Sequence, residues 1–243
     1  MREVCLMYHD IVTARDKSSG FQNSSAFQYK VLDTVFEEHL KATEGKDVVF
    51  TFDDGGVSFY TIAAPLLEKY GRRGVFFIST DYVGTPGFLS IGQLSELHKR
   101  GHIIGSHSCS HPENMSSLKN EDIQREWTKS AVVLADIIGS SVSLASIPNG
   151  YSSAEIIRYA QNAGYKELYT SEPTTKTTLK GSMTLIGRYV VHRNMSAADV
   201  LKIVDSRGYR RKLGVRWQIL KVLKFILGNN YNKVKSLIFK DKK

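Results

Sequence analysis

The sequence predicts an α/β fold, with a mainly parallel sheet of about seven strands and a helical extension at the C-terminus. Two observations lead there. Short β-rich runs alternate with helical patterns, and most of those runs are continuously apolar, as strands covered on both faces are. Alternation leaves an open sheet or a barrel. About seven strands in roughly 200 residues favour barrel-like closure.

The predicted strands are 4–8, 48–52, 75–79, 102–106, 142–147, 166–170 and 185–191. Each is a short run rich in Val, Ile, Leu, Phe, Tyr or Thr. Helical patterns lie between them at 34–42, 59–70, 91–100, 120–138 and 154–163. Ser90 is placed to cap the third of these and Gly101 to stop it; Gly71 and Gly139 end others in the same way. The polar stretch 13–30 reads as a long surface loop, a feature that in compact domains is often functional.

Composition narrows the class. With 243 residues, 42% hydrophobic and 23% charged, the chain is neither disordered nor fibrous. The net charge of +9 is unevenly spread. Residues 207–243 hold twelve basic residues and one acid, Asp241, for +11, which leaves residues 1–206 at −2. The expected division is therefore a body at 1–206 and a basic amphipathic extension at 207–243. A nucleic-acid-binding body is disfavoured, because its footprint would need basic charge on the main domain. The opening residues lack an apolar run suited to a signal peptide, and no stretch reaches the roughly 18 apolar residues of a membrane span. A cytoplasmic location with Cys5 and Cys109 as free thiols is the expectation.

In the extension, residues 213–227 have helical periodicity. Ile219, Leu220, Val222, Leu223, Ile226 and Leu227 share a wide face, Lys221 and Lys224 lie on the other, and Trp217 and Phe225 stand near the edges. Such a helix suits an anionic membrane interface, here the inner membrane surface, or else docking on the barrel or a second subunit. A second mixed run lies at 233–243.

In parallel α/β folds the active site lies at the carboxyl ends of the strands. Four predicted strands end in polar groups: Asp53 and Asp54; His107, with His111 four residues on; the Pro148–Tyr151 segment with Asn149; and His192 with Arg193. Adjacent buried aspartates are costly unless something neutralises one. Two imidazoles and one carboxylate make an open ligand set for a divalent ion, leaving the other aspartate for proton transfer.

These residues resemble a family. Thr51-Phe52-Asp53-Asp54-Gly55 is similar to the TFDDG motif of NodB-type polysaccharide deacetylases, carbohydrate esterase family 4. The run from Gly105 to Pro112 resembles that family's GSHSxxHP motif, Leu6-Met7-Tyr8-His9 its opening strand, and Ile147–Tyr151 a form of its third motif. The resemblance covers about residues 5–196. It implies a distorted (β/α) barrel and metal-dependent hydrolysis of an N-acyl group, usually N-acetyl, from an amino sugar. It also implies Asp54, His107 and His111 as metal ligands and Asp53 as general base. Zn²⁺ is the first choice of metal, with Co²⁺, Ni²⁺ or Mn²⁺ as alternatives. A backbone N–H near Gly56 is expected to stabilise the oxyanion.

The sequence departs from the family pattern twice. The third motif usually carries an Arg before its Pro to orient the catalytic Asp; here Ser146 and Ile147 stand there. Arg188 is the candidate replacement, and it is also placed with Asn149 and Tyr151 among the substrate-binding residues. The general acid usually follows a Leu; here Val191-His192 is the nearest match, and His9 is a second candidate. Phe21, Tyr29, Tyr82 and Phe88 are candidates for sugar-stacking walls, His102 reads as structural, and His39 and His98 as solvated. Cys109 is a bystander able to sense oxidation or heavy metals. The expected substrate is a nucleotide-linked or lipid-linked amino-sugar intermediate of surface polysaccharide or lipopolysaccharide synthesis. The alternatives are a sugar N-deformylase and a catalytically silent carbohydrate-binding homologue.

Overall fold

The computed structural model describes residues 3–227. Its first half runs β1 (Val4–Tyr8), β2 (Ile11–Val12), β3 (Val31–Leu32), α1 (Asp33–Ala42), β4 (Val48–Phe52), α2 (Ala64–Lys69), β5 (Gly74–Ile78), α3 (Ile91–Lys99) and β6 (Ile103–Ser106). Then come α4 (Asn120–Ile138), β7 (Leu144–Ser146), α5 (Ala154–Asn162), β8 (Glu167–Tyr169), β9 (Thr178–Lys180), β10 (Met183–Ile186), β11 (Tyr189–Val190), α6 (Ala197–Asp205) and α7 (Arg207–Leu227). The run at 233–243 lies outside the described residues.

The main sheet has nine strands in the order β11-β1-β4-β5-β6-β7-β8-β10-β9. All neighbours are parallel except the β9–β10 pair. The predicted strand 185–191 is in fact two. Its first part, β10, pairs with β8; its second, β11, pairs with β1. Only Gly187 and Arg188 separate them. The chain therefore crosses from one end of the sheet to the other in two residues, and the sheet curls into an incomplete barrel whose seam is covalent. Gly187 permits the crossing: a Cβ there would lie 2.5 Å from the Glu172 carbonyl and 2.5 Å from the Thr174 side chain.

Strand residues alternate between two faces. Leu6, Tyr8, Phe50, Phe52, Phe76 and Ile104 point outward into the main core, packed with helix residues such as Phe36, Leu67, Leu94 and Trp127. Cys5, Val75, Phe77 and Tyr169 form a smaller cluster inside the curl. Both faces are thus apolar, which accounts for the unbroken hydrophobic runs. Three helix starts are capped by serine side chains: Ser90 and Ser196 each form a capping box, and Ser153 accepts from Ile156 N–H.

His39 is not solvated. It is fully buried on α1, with Nδ1 3.1 Å from the Tyr8 hydroxyl and Nε2 3.0 Å from the Met195 carbonyl. His98 is half-buried. His102 is structural, as expected: it accepts from Gly74 N–H and lies 2.9 Å from Glu68.

The helical extension starts at Arg207. Tyr209 and Leu213 pack against the core, and Leu220 is half-buried. Val215, Ile219 and Val222 are exposed. No described helix is long and apolar enough to cross a membrane.

Candidate metal centre and active site

The site forms where β4, β6 and β7 end. Asp53 extends the ladder, its N–H donating to the Tyr8 carbonyl, and His107 does the same towards Ile78. The backbone then turns sharply. Asp54 (φ 89°), Ser108 (63°), His111 (54°) and Asn149 (55°) are the non-glycine residues with positive φ among those described, and all four belong to these loops. Such backbone strain clusters where the fold must aim a side chain.

Asp54 Oδ1 lies 3.5 Å from His107 Nε2 and 3.3 Å from His111 Nε2. One ligand atom from each of the three residues falls within 4.8 Å of the others. Second contacts suit the imidazoles to a metal. His107 Nδ1 is 3.0 Å from the Ser146 carbonyl, so it carries the proton and leaves the Nε2 lone pair facing Asp54. Burial pushes the His107 imidazole down to about 4, keeping it neutral. At His111 burial works against the charge, but the hydrogen bond and charge of Asp54 outweigh it and raise the group above its ordinary value. Burial likewise opposes the Asp54 charge, yet the hydrogen bond from His111 and the nearby imidazoles hold its carboxyl well below the usual range. The residues therefore fit a divalent cation: a compact set of one carboxylate and two imidazoles.

Asp53 has a different environment. Arg188 grips it bidentately, Nη1 to Oδ1 at 2.6 Å and Nη2 to Oδ2 at 2.8 Å. Burial would raise the Asp53 carboxyl, but the guanidinium beside it holds it below the ordinary value. Arg188 also donates to Thr51 Oγ1, Ser146 Oγ and the Thr170 carbonyl, and its guanidinium lies over the Phe77 ring. This corrects its placement among substrate-binding residues: it is 1% exposed and stands behind Asp53, on the inner side of the curl. Ser146, which sequence reasoning treated only as a missing Arg, donates to Asp53 Oδ2 at 3.2 Å and accepts from Arg188 at 2.7 Å.

Glu126 on α4 is a second residue the sequence did not single out. Its buried carboxylate accepts from the N–H groups of Cys109 and Ser110 and from Ser110 Oγ, fixing the loop between the two histidines. An acid on an amphipathic helix carries no such signal. Both thiols are buried, and burial pushes Cys5 up to about 11 and Cys109 up to about 12, which disfavours the thiolate and accords with Cys109 as a bystander.

His9 and His192 come together through Tyr29, which stacks on both: centroids 4.6 Å and 28° to His9, 5.1 Å and 29° to His192. His9 is close enough for its charge to act on both Asp53 and Asp54. On the other side, Phe21 packs on His111 (5.0 Å) and against Tyr82 and Phe88. Asn149 is exposed and donates to the Pro112 carbonyl, tying its turn to the His111 loop; Tyr151 is half-buried.

Comparison with known proteins bears on this site. The family model described as polysaccharide deacetylase matches residues 40–168. YxkH of Bacillus subtilis, named as a polysaccharide deacetylase, is 29% identical over 212 residues, covering 83% of this chain and 75% of the relative. The peptidoglycan-N-acetylmuramic acid deacetylase PdaA of the same species is 27% identical over 148 residues, 58% of this chain and 54% of its own length. In three dimensions the chain is similar to the Streptococcus pyogenes deacetylase PplD (TM-score 0.68, 19% identity, 84% of this chain and 99% of that one). It is also similar to a de-N-acetylase of Aggregatibacter actinomycetemcomitans (TM-score 0.71, 15% identity, 84% and 100%). At these identities the two structures share the fold.

Proposed function

The chain belongs to the polysaccharide deacetylase family, and from that premise we propose that it is a metal-dependent hydrolase removing an N-acetyl group from an amino-sugar substrate. The observation that carries this reading is the convergence of Asp54, His107 and His111 beside a separate aspartate, Asp53, clamped by Arg188. Asp54, His107 and His111 would hold the ion, Zn²⁺ first among the choices. Such an ion lowers the pKa of water and polarises a carbonyl.

The protein's own groups supply the rest. Asp53, kept ionised by Arg188, takes a proton as water oxygen bonds to the amide carbon. The C–N bond then breaks, giving acetate and a free amine. A histidine on the Tyr29 stack, His192 or His9, gives the departing nitrogen its proton. A backbone N–H near the Gly56 turn is the proposed donor to the developing oxyanion.

The substrate we propose is a nucleotide-linked or lipid-linked intermediate of surface polysaccharide or lipopolysaccharide synthesis, processed in the cytoplasm. The basic helix α7, with Val215, Ile219 and Val222 exposed between Arg211, Lys212 and Arg216, would hold the enzyme at an anionic membrane surface.

The test is direct. Asp53→Asn should keep stoichiometric metal and lose hydrolysis of N-acetylated sugar conjugates by about 10²-fold or more. His107→Ala should lose the metal itself. Equal turnover by Asp53→Asn and wild type would overturn the mechanism.

A further inference from the structure

Helix α4 buries Ile123, Glu126, Trp127, Ser130 and Leu134. Glu126 is the odd member of that face, a carboxylate that is only 4% exposed. A buried charge persists only where donors meet it. Here Oε2 accepts from the N–H of Cys109 at 3.0 Å and of Ser110 at 2.9 Å, and Oε1 from Ser110 Oγ at 2.6 Å. The Cys109 thiol addresses the same carboxylate. Burial opposes the charge, but these hydrogen bonds outweigh it and hold the carboxyl below its ordinary value. Ser130, one turn further along α4, pairs its hydroxyl with Ser106 Oγ at 2.7 Å, and Ser106 Oγ accepts from Ser108 N–H at 3.1 Å. One helix therefore holds both the end of β6 and the loop that follows it.

That loop joins His107 to His111, two of the three proposed metal ligands. It is bent against its preference. Ser108 and His111 both have left-handed φ, 63° and 54°, which is costly for a residue with a Cβ. A short loop with two such residues relaxes unless its backbone is tied down. On one side, Thr80 N–H donates to the Ser108 carbonyl and Asp81 N–H to the Cys109 carbonyl. Within the loop, His111 N–H donates to Ser108 Oγ at 3.2 Å. On the other side, the remaining N–H groups, those of Cys109 and Ser110, go to Glu126.

We infer that Glu126 is the positioning residue of the metal centre: by tying down the strained loop it holds His107 and His111 as a preformed ligand pair before an ion arrives, and so sets the affinity of the site for a divalent cation. The inference rests on the metal-dependent reading and adds the source of the site's preorganisation. An ion that meets ligands already in place does not have to order the loop. Removing groups that orient metal ligands costs about 10–100-fold in metal affinity.

Zn²⁺ affinity, read by competition with a chromophoric chelator on the metal-stripped full-length chain, tests this. Glu126→Ala should weaken Zn²⁺ binding about tenfold or more. Glu126→Gln keeps a carbonyl oxygen for the two N–H groups, and the Ser110 hydroxyl can turn to accept from its amide, so it should stay within about threefold of wild type. Ser110→Ala removes one hydrogen bond to the carboxylate and should weaken binding about threefold. Glu68→Ala is the control: it breaks contacts to Arg100 and His102, and should lower the melting temperature with Zn²⁺ affinity within about twofold of wild type. In the metal-stripped wild type, the Cys109 and Ser110 amides should exchange with deuterium about 10²-fold or more below the unprotected rate. Wild-type Zn²⁺ affinity in folded Glu126→Ala, whatever its melting temperature, would overturn the inference. So would an equal loss in Glu126→Gln and Glu126→Ala, which would assign the effect to charge, and so would unprotected Cys109 and Ser110 amides. Should Glu126→Ala fail to fold, wild-type affinity in Ser110→Ala would overturn it instead. All of these leave the metal-dependent reading standing. A wild type that takes up no Zn²⁺ would overturn that reading and the inference together.

Discussion

Asp54 adopts a φ of 89°, a region that costs a non-glycine residue on the order of 1–2 kcal/mol. Without that twist, neighbouring carboxylates at a strand end would point to opposite faces. With it, Asp54 meets the histidines while Asp53 turns to Arg188. The Asp53–Arg188 pair is buried on both sides, so removing one partner leaves the other uncompensated. Arg188→Met should lower stability by about 3–5 kcal/mol and abolish turnover. Adding Asp53→Asn to it should recover much of the stability and none of the turnover, as thermal melts and an activity assay would show. The triad and Asp53 were legible in the sequence because Asp53, Asp54 and His107 follow apolar strands directly and His111 stands four residues beyond His107, all in recognisable motifs. The meeting of Arg188, Ser146 and Asp53 was only half legible: their separations of 42 and 135 residues are bridged by the curl of the sheet, which no local pattern encodes.

Among the elements, β1 and β4 have the bounds their apolar runs predict, whereas the run 185–191 divides at Gly187. Periodicity registers which residues are extended. It does not register which neighbour each half pairs with, and here the two halves choose strands at opposite ends of the sheet. Helix α1 teaches a related lesson. His39 looked solvated because a polar residue in a helix usually is, but α6 packs on that side of α1 and closes His39 in. Burial holds its imidazole below the ordinary value. An unfolded chain, with a histidine pKa of about 6.5, then binds the proton more readily than the folded one. The stability His39 contributes is complete above that pH and is lost as pH falls towards the lowered folded value. The melting temperature should therefore drop on acidification below about pH 6.5, and His39→Gln should make that drop shallower. A variant with the wild-type pH slope would contradict this account.

For the whole molecule, charge and chemistry are separated: the net positive charge collects from Arg207 onward while the body stays close to neutral. Helix α7 holds on through Tyr209 and Leu213 and turns Val215, Ile219 and Val222 outward. Replacing those three by Ser should cut co-sedimentation with anionic lipid vesicles about tenfold or more, with catalysis on soluble substrate unchanged, while zwitterionic vesicles should bind either protein poorly. Unchanged binding would detach the helix from any membrane role. The covalent seam of the barrel has a temporal meaning as well. Arg188 follows Asp53 by 135 residues, and the link that carries it is also what joins β10 beside β8 to β11 beside β1. A chain short of residue 188 has no guanidinium to set the proposed base. On the proposed mechanism, hydrolytic competence would therefore come only with the closure of the barrel.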